Sequence, residues 1–488
     1  MCLESKGFNK LLLISLSNIQ NYISSARKTR DLYNGSLLVK DTILEIQRVL
    51  FDNTPMKKCF QCCTDDKVEE TNVPNFLLYR IKTDENKDNK ELEEEIYNIL
   101  KENVDKSKVA YDLIPYIVIE DIEDDSYDEA YNKIYKKLGA YKNNRFRVKT
   151  FFESKKEGEK VCYLCGIRYG NEVKQEDDDK IEYLCSECKK KRDYGREGFS
   201  SVDDIAKLQN KEGTYYALIR ADIDNMGKWL STIPKGYEEG RLFQWQKLLK
   251  EFIEEFIKKV EKSLEEITKE HKLLVYAGGD DLLFFCPIEQ AMSELKRIDT
   301  LLEETWKEKI IPHVQNKEDR ITVSKCIAIV HRKIPLRRVI QLSKNYLEET
   351  KNYKTNEKDN EKNKIGFLLI LDGYEQVFSV IKTQEIELVE KLLLGIGTEI
   401  SRSFIYELER ETVMFGDVVG NEYEATIINI IKNDIQRVIE RKSNDPKKYN
   451  DIIQGLYLQF REYGESHRLQ LFFDLLHIID KWNREMKY

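Results

Sequence analysis

Two short acidic stretches carry the most specific chemistry in this sequence: Ala221–Asp222–Ile223–Asp224 and Gly278–Gly279–Asp280–Asp281. Magnesium and manganese prefer hard oxygen ligands, commonly one or two carboxylates plus substrate phosphates, and a two-ion site needs carboxylates converging from neighbouring strands. The adjoining glycines leave space for a triphosphate to lie against the backbone, while a tight turn would aim the acids. This combination suits phosphoryl transfer, with one ion acidifying an attacking ribose 3′-hydroxyl and the other neutralising the triphosphate. No protein nucleophile is required. Lys228 and Lys351 could each neutralise phosphate, although lysines are abundant here and a solvated surface is the plain alternative for both.

A second constellation is made of thiols. Cys162 and Cys165, then nineteen residues, then Cys185 and Cys188 give the paired C-x₂-C spacing of a tetrahedral structural zinc site. Four sulfur ligands leave no position for water, so the expected role is to fold a small module. Cys59, Cys62 and Cys63 form a further cluster without an evident fourth ligand and read as free thiols. The five histidines show no adjacent His-Asp pair and no HExxH arrangement, which disfavours a histidine-based hydrolytic metal site. Gly395–Ile396–Gly397 is too short a signal for dinucleotide binding, and no glycine-rich loop ends in Lys-Ser or Lys-Thr.

The elements around the acids have a definite order. Residues 214–222 are apolar and aromatic enough for a strand, and residues 241–270 keep apolar side chains at helical spacing through Leu242, Trp245, Leu248, Phe252, Phe256 and Val260. Two strands, 272–277 and 282–286, follow on either side of the glycine-aspartate turn. A helix over 289–306, a strand over 322–330 and a helix over 336–351 complete a β-α-β-β-α-β unit, the split βαβ of ferredoxin-like sheets and polymerase palms. Upstream, 10–16 and 74–80 read as strands and 36–50 as a helix, so the first domain is α/β in pattern. Residues 175–180 and 354–364 are polar loops, and 374–488 reads as almost wholly helical.

The chain of 488 residues is long enough for several domains, each with its own core. Its 80 basic and 88 acidic side chains leave a net charge of −8, so no overall field draws it onto nucleic acid, and local basic runs such as Arg27–Lys28–Thr29–Arg30 remain the candidate contacts. No run of about 18 apolar residues and no signal-peptide layout occurs, which leads to the expectation of a cytoplasmic protein that does not enter the membrane.

Taken together, Ser17–Asn18–Ile19–Gln20, Ala26 through Leu32, Gly35–Ser36, Pro74–Asn75–Phe76, the two cysteine pairs, Ala221 through Gly227 and Gly278 through Asp281 resemble one family. It is the large polymerase/cyclase subunit of type III CRISPR effector complexes, the Cas-ten family, in its Cmr branch. The resemblance implies an α+β protein with two ferredoxin-like palm domains, an inserted zinc module and a C-terminal helical domain. The corresponding boundaries are 1–150, 151–205, 206–372 and 373–488. It also implies catalysis by Asp222, Asp280 and Asp281 with two magnesium or manganese ions, Ile223 completing the metal set. Gly278, Gly279, Asp224, Lys228, Ser324 and Lys351 would contact nucleotide, and Cys162, Cys165, Cys185 and Cys188 would hold zinc.

The implied activity is target-RNA-activated synthesis of a nucleotide second messenger from ATP, usually cyclic oligoadenylate joined 3′ to 5′. The implied partners are other Cmr-type subunits, with guide and target RNA reached through the complex. A branch without the nuclease domain joins ATP to S-adenosylmethionine instead. Here the first palm begins almost at once, so no HD nuclease activity is expected. Lys325–Cys326 stands after Ser324 where the family favours a small residue and glycine. Two competing readings are a scaffold with vestigial carboxylates and a free-standing GGDEF-type cyclase. The intact acids oppose the first, and the zinc pairs and helical tail are superfluous to the second.

Overall fold

The computed structural model describes residues 9–53, 61–62, 76–83, 87–110, 113, 115–123, 126–143, 158–174, 181–195, 199–237, 241–269, 272–314, 320–353, 362–412, 424–462 and 468–486. Cys59, Cys63, His271, His467, Pro74, Asn75 and the expected loop 175–180 lie outside them, as does most of 354–364. Two compact units share the chain: Met1–Phe199, Asn225–Asp280 and Glu303–Arg320 form one, and Ser200–Asp224, Asp281–Leu302 and Ile321–Tyr488 form the other.

The first unit contains the strands β1 (Lys10–Leu16), β2 (Gln61–Cys62), β3 (Phe76–Ile81) and β4 (Pro115–Asp121) in the order β4-β1-β3-β2, all neighbours antiparallel. That is the ferredoxin-like arrangement, with the first strand central between the third and fourth. KLLLISL is buried along its whole length because β1 is covered on both faces. The sequence reading missed β4 and the helix Tyr127–Asn143, although PYIVIED has a β-branched centre and the helix buries Tyr127, Ala130, Tyr131, Ile134 and Leu138 at helical spacing. A separate three-stranded sheet, β5 (Lys160–Val161), β6 (Tyr169–Lys174) and β7 (Ile181–Leu184), carries the four spaced cysteines. The long helix Leu242–Ile267 also belongs to this unit, where Gln246 accepts a 2.6 Å hydrogen bond from Tyr127.

In the second unit β8 (Tyr215–Ile223) has antiparallel partners on both sides, β10 (Asp281–Pro287) and β11 (Val323–His331). The strand β9 (Leu274–Gly278) precedes β10 in sequence, so the order β-α-β-β-α-β stands as expected. Beyond β11 the sheet is extended by the parallel strand β12 (Lys364–Ile370) and the antiparallel strand β13 (Gln376–Lys382). β13 corrects the expectation of an all-helical segment from residue 374. Its Val377, Val380 and Ile381 are β-branched, and a turn after β12 brings it back as a strand rather than a helix. Five helices between Ile386 and Met486 follow among the described residues, and Trp482 is buried with its Nε1 donating to the Ile288 carbonyl at 3.0 Å.

The two palm-like sheets repeat one local device. After β1, Asn18 adopts φ 51° and opens the six-residue helix Ile19–Ser24; after β8, Asn225 adopts φ 58° and opens the six-residue helix Met226–Ser231. Asparagine tolerates this left-handed geometry better than most residues. Counting back three residues from each asparagine makes Ser15 the counterpart of Asp222.

Candidate active site and cysteine cluster

Asp222 lies on the central strand β8, directly opposite Asp281 of β10 on one side and Ser324 of β11 on the other. Residues paired across a sheet point to the same face, so one row reads Asp281, Asp222, Ser324. In the first sheet the same row reads Phe76, Ser15, Tyr116, with no carboxylate. Of the two palm-like sheets, only the second brings two carboxylates together at this row among the described residues.

Burial pushes the Asp222 carboxyl up from 3.8 to about 6, opposed by a hydrogen bond and charge attraction from Lys351 and reinforced by the Asp281 carboxylate beside it. Lys351 Nζ sits 2.7 Å from Asp222 Oδ1. The lysine reaches that far because its helix, Leu336–Asn352, lies close over the sheet: a β-carbon on Gly366 would fall 2.1 Å from Thr350 Oγ1. Any larger residue in that position of β12 would push the end of the helix, and with it Lys351, away from the strand ends.

Asp280 occupies the turn between β9 and β10 together with Gly279, whose φ of 67° and open surroundings suit the first position of a two-residue turn. Gly278 ends β9 and is buried. Ile223, the last residue of β8, is buried and faces Val323 in register. Lys228 is exposed on the helix Met226–Ser231.

Asp224 was expected to contact nucleotide, but its carboxylate is only 1% exposed and is engaged by the protein itself. Oδ1 accepts from Ser324 Oγ at 2.8 Å, while Oδ2 accepts from Thr322 Oγ1 at 2.8 Å and the Asn363 backbone N–H at 2.9 Å. With all three donors supplied by β11 and the approach to β12, Asp224 ties together the ends of the strands that present Asp222. Ser324 is likewise buried and donates to Asp224.

Lys325 could have been expected to disturb a base or phosphate, yet it points away from that row. It is fully buried and ion-paired to Asp299 of the helix Ala291–Lys309. Burial lowers the Lys325 pKa, and Asp299 and Asp224 partly restore it. Sequence reasoning missed this internal pair. A lysine inside an otherwise apolar strand was the available signal, because such a charge survives only with a partner.

Asp222 and Asp281 offer a divalent cation two adjacent carboxylates, fewer than the four thiols of the cysteine cluster. Two carboxylates abut in a poorly hydrated position where their mutual repulsion is unfavourable, and a doubly charged ion would relieve both costs. The pH dependence follows with a definite sign. Folding raises the Asp222 pKa, so the metal-free protein takes up a proton there below about pH 6, and its stability falls as pH rises from about 4 to 6. The same proton competes with metal. Manganese binding is expected to be level above about pH 7 and to weaken about ten-fold per unit below 6. A spin-resonance titration that found equal affinity at pH 5 and pH 7 would refute this.

In the cysteine module, the Sγ atoms of Cys162, Cys165, Cys185 and Cys188 all lie within 4.8 Å of one another, a spread that suits tetrahedral thiolate coordination of zinc. Three of the four are buried. Cys185 caps the helix Ser186–Asp193 and Cys188 lies in its first turn, and its later residues anchor the module. Lys191 Nζ donates to the carbonyls of Tyr22 at 2.5 Å, Ile23 at 3.2 Å and Ser25 at 2.8 Å. Arg192 pairs with buried Asp31 and Glu182. Asp31 also accepts from the backbone N–H groups of Arg27 and Lys28, each at 3.0 Å. The basic run Arg27–Lys28–Thr29–Arg30 thus borders a socket for the cysteine module, Asp31 receiving Arg192 and Arg27 pairing with Glu182 at 3.0 Å. Cys62 lies in β2, and the described histidines form no cluster with these thiols.

Two family models match the chain. That for Cas10/Cmr2, second palm domain, covers residues 215–365, and that for the N-terminal part of CRISPR-associated protein Cmr2 covers residues 11–107, together about half of the sequence. No curated protein matches. Among solved structures, a type III-B Cmr-beta complex in the apo state is 14% identical at a TM-score of 0.62, covering 98% of this chain and 82% of the other. The Cmr-beta structure bound to cognate target RNA is 14% identical at 0.62, covering 99% and 84%. A Csm1–Csm4 cassette in complex with cA3 is 13% identical at 0.55, covering 97% and 69%. At these identities the likeness is one of fold.

Proposed function

We propose, from the premise that this chain belongs to the Cas10/Cmr2 family of type III CRISPR complex subunits, that it is a nucleotidyltransferase making a 3′–5′ linked oligoadenylate messenger from ATP, cyclic in its final form. The observation that carries the reading is the register pairing of Asp222 with Asp281 in a desolvated position next to a turn containing Gly279 and Asp280. In the reaction a ribose 3′-hydroxyl of one nucleotide attacks the α-phosphorus of another. The new O–P bond forms as the bond to pyrophosphate breaks, and the hydroxyl proton leaves to solvent or base. Two divalent ions, held by Asp222, Asp280 and Asp281 with the backbone at Ile223, would supply hydroxyl acidification and charge neutralisation.

The chain's own groups do the rest. Asp224, through Ser324, Thr322 and Asn363, fixes the strand ends, and the open space above Gly279 admits a triphosphate. Asp280 and Asp281 leave the turn in sequence beside that space. The row Phe76–Ser15–Tyr116 carries no acid, so it offers no second reaction centre of this kind. The four-part division at residues 150, 205 and 372 remains our proposed domain organisation.

The relatives' assemblies extend the reading to partners. The Cmr-beta structure is bound to cognate target RNA and the Csm1–Csm4 cassette to cA3, so we place this chain in a ribonucleoprotein whose target RNA switches synthesis on. The test incubates the assembled complex with guide RNA, matching target RNA, labelled ATP and magnesium or manganese, with and without S-adenosylmethionine, and identifies products by mass. A cyclic oligoadenylate that depends on target RNA is the expected outcome. No ATP-derived product in either arm would make the chain a scaffold. A conjugate appearing only with S-adenosylmethionine would reassign the product while keeping the reaction centre.

A further inference from the structure

The ion pair between Lys351 and Asp222 has a consequence for how the site fills. This inference rests on the proposed function, because the oxygen that Lys351 engages belongs to a carboxylate assigned there to divalent cations. The pair is built rather than incidental. Both side chains are mostly shielded, at 11% and 18% exposure, and the distance is 2.7 Å. Lys351 lies in the last turn of its helix, where the backbone dipole favours a cation, and the close approach over Gly366 holds that turn down. Opposite it, Asp281 adds a second negative charge next to Asp222.

An ammonium and a divalent cation cannot both sit against Asp222 without strong repulsion in so poorly hydrated a place. A lysine expelled from the carboxylate would itself be left without a counter-charge, unless an anion arrives with the metal. We propose that Lys351 is an internal competitor for the metal, exchanging Asp222 for the triphosphate, so that cation and nucleotide load together rather than singly. Linkage makes the effect reciprocal: whatever the nucleotide adds to metal affinity, the metal adds to nucleotide affinity. A site with this exchange keeps Asp222 occupied by the ammonium, and so holds off free cations, until substrate appears.

The test titrates manganese into the full chain, with and without an ATP analogue that cannot be cleaved between the α- and β-phosphates. Free manganese is read by spin resonance, and Asp281→Ala serves as the blank for binding elsewhere. Lys351→Met is expected to tighten nucleotide-free manganese binding by about 5- to 10-fold and to shrink the analogue's enhancement by a similar factor. Lys351→Arg, which keeps the charge, is expected to preserve the wild-type enhancement and so controls for loss of packing. Lys351→Met binding nucleotide-free manganese no more tightly than wild type would overturn the exchange while leaving the proposed function standing. Wild type and Asp281→Ala binding manganese alike, with and without analogue, would instead remove the cation site and overturn both.

Discussion

Replacing Asp280 and Asp281 together by alanine is expected to lower the ATP-derived product by at least about 10³-fold while leaving the protein folded and assembled, since preorganised charge at the reacting phosphate is usually the largest single catalytic contribution. The stability half of this expectation separates a ligand role from a structural one. Asp281 stands beside Asp222 and raises its pKa, so in the metal-free protein the two carboxylates repel and removing one should not lower the melting temperature. Asp224 offers the contrast. Its three donors on the ends of β11 and β12 make it part of the framework, so Asp224→Ala should cost both activity and stability. Full product from the Asp280/Asp281 double variant, measured by mass with saturating target RNA, would remove these residues from the chemistry. A collapse in melting temperature would make them structural.

The division between what the sequence exposed and what it hid follows from the range of the interactions. Asp222 and Asp281 were findable because metal chemistry leaves a local signature, acids at a strand end and acids at a turn, and because the order of strands around them is short-range information. Their pairing in register is a tertiary fact: β8 and β10 are buried on both faces over most of their length, so the sequence carries no alternation from which to read it. The cysteine pairs were equally local.

Other features depend on contacts between distant residues. Asp224 looked like a fellow ligand of Asp222 because spacing of two puts both on one side of a strand, and only the hydroxyls of Thr322 and Ser324 with the backbone of Asn363 divert it. The socket at Asp31 for Arg192 joins residues 161 apart in sequence, and a basic run such as Arg27 to Arg30 gives no hint that its neighbour faces inward. Strand β13 was absorbed into a helical reading because seven residues are too few for periodicity to decide between helix and strand. The kinship of the two palm-like sheets was equally hidden. Ser15 and Asp222 differ in chemistry, and the shared trait is the left-handed asparagine three residues later.

The cysteine module yields the second large effect. Full-length protein is expected to bind one zinc through Cys162, Cys165, Cys185 and Cys188, and Cys162→Ser combined with Cys185→Ser should lose it, as measured by atomic emission. Structural zinc is worth an apparent 10 to 16 kcal/mol or so in isolated finger peptides at neutral pH, and its loss there unfolds the module. In this chain the damage should spread beyond the module. Cys185 caps the helix Ser186–Asp193 and Cys188 lies in its first turn, so that turn is held by the thiolate cluster, while its last turn carries Lys191 and Arg192 against the segment after β1. Without the cluster, the three carbonyls after β1 lose the Lys191 ammonium, and Asp31 is left as a buried carboxylate without Arg192. Removing one partner of a buried pair typically costs about 3 to 5 kcal/mol, enough to lower the melting temperature by roughly 6 °C or more. Limited proteolysis should then cut within residues 158–195 first. The segment after β1 should become accessible next, because its own contacts are the ones released. A double serine variant that keeps wild-type zinc content would show that the thiols do not hold the ion, and one that loses zinc with an unchanged melting temperature would show that the site does not couple the module to the sheet.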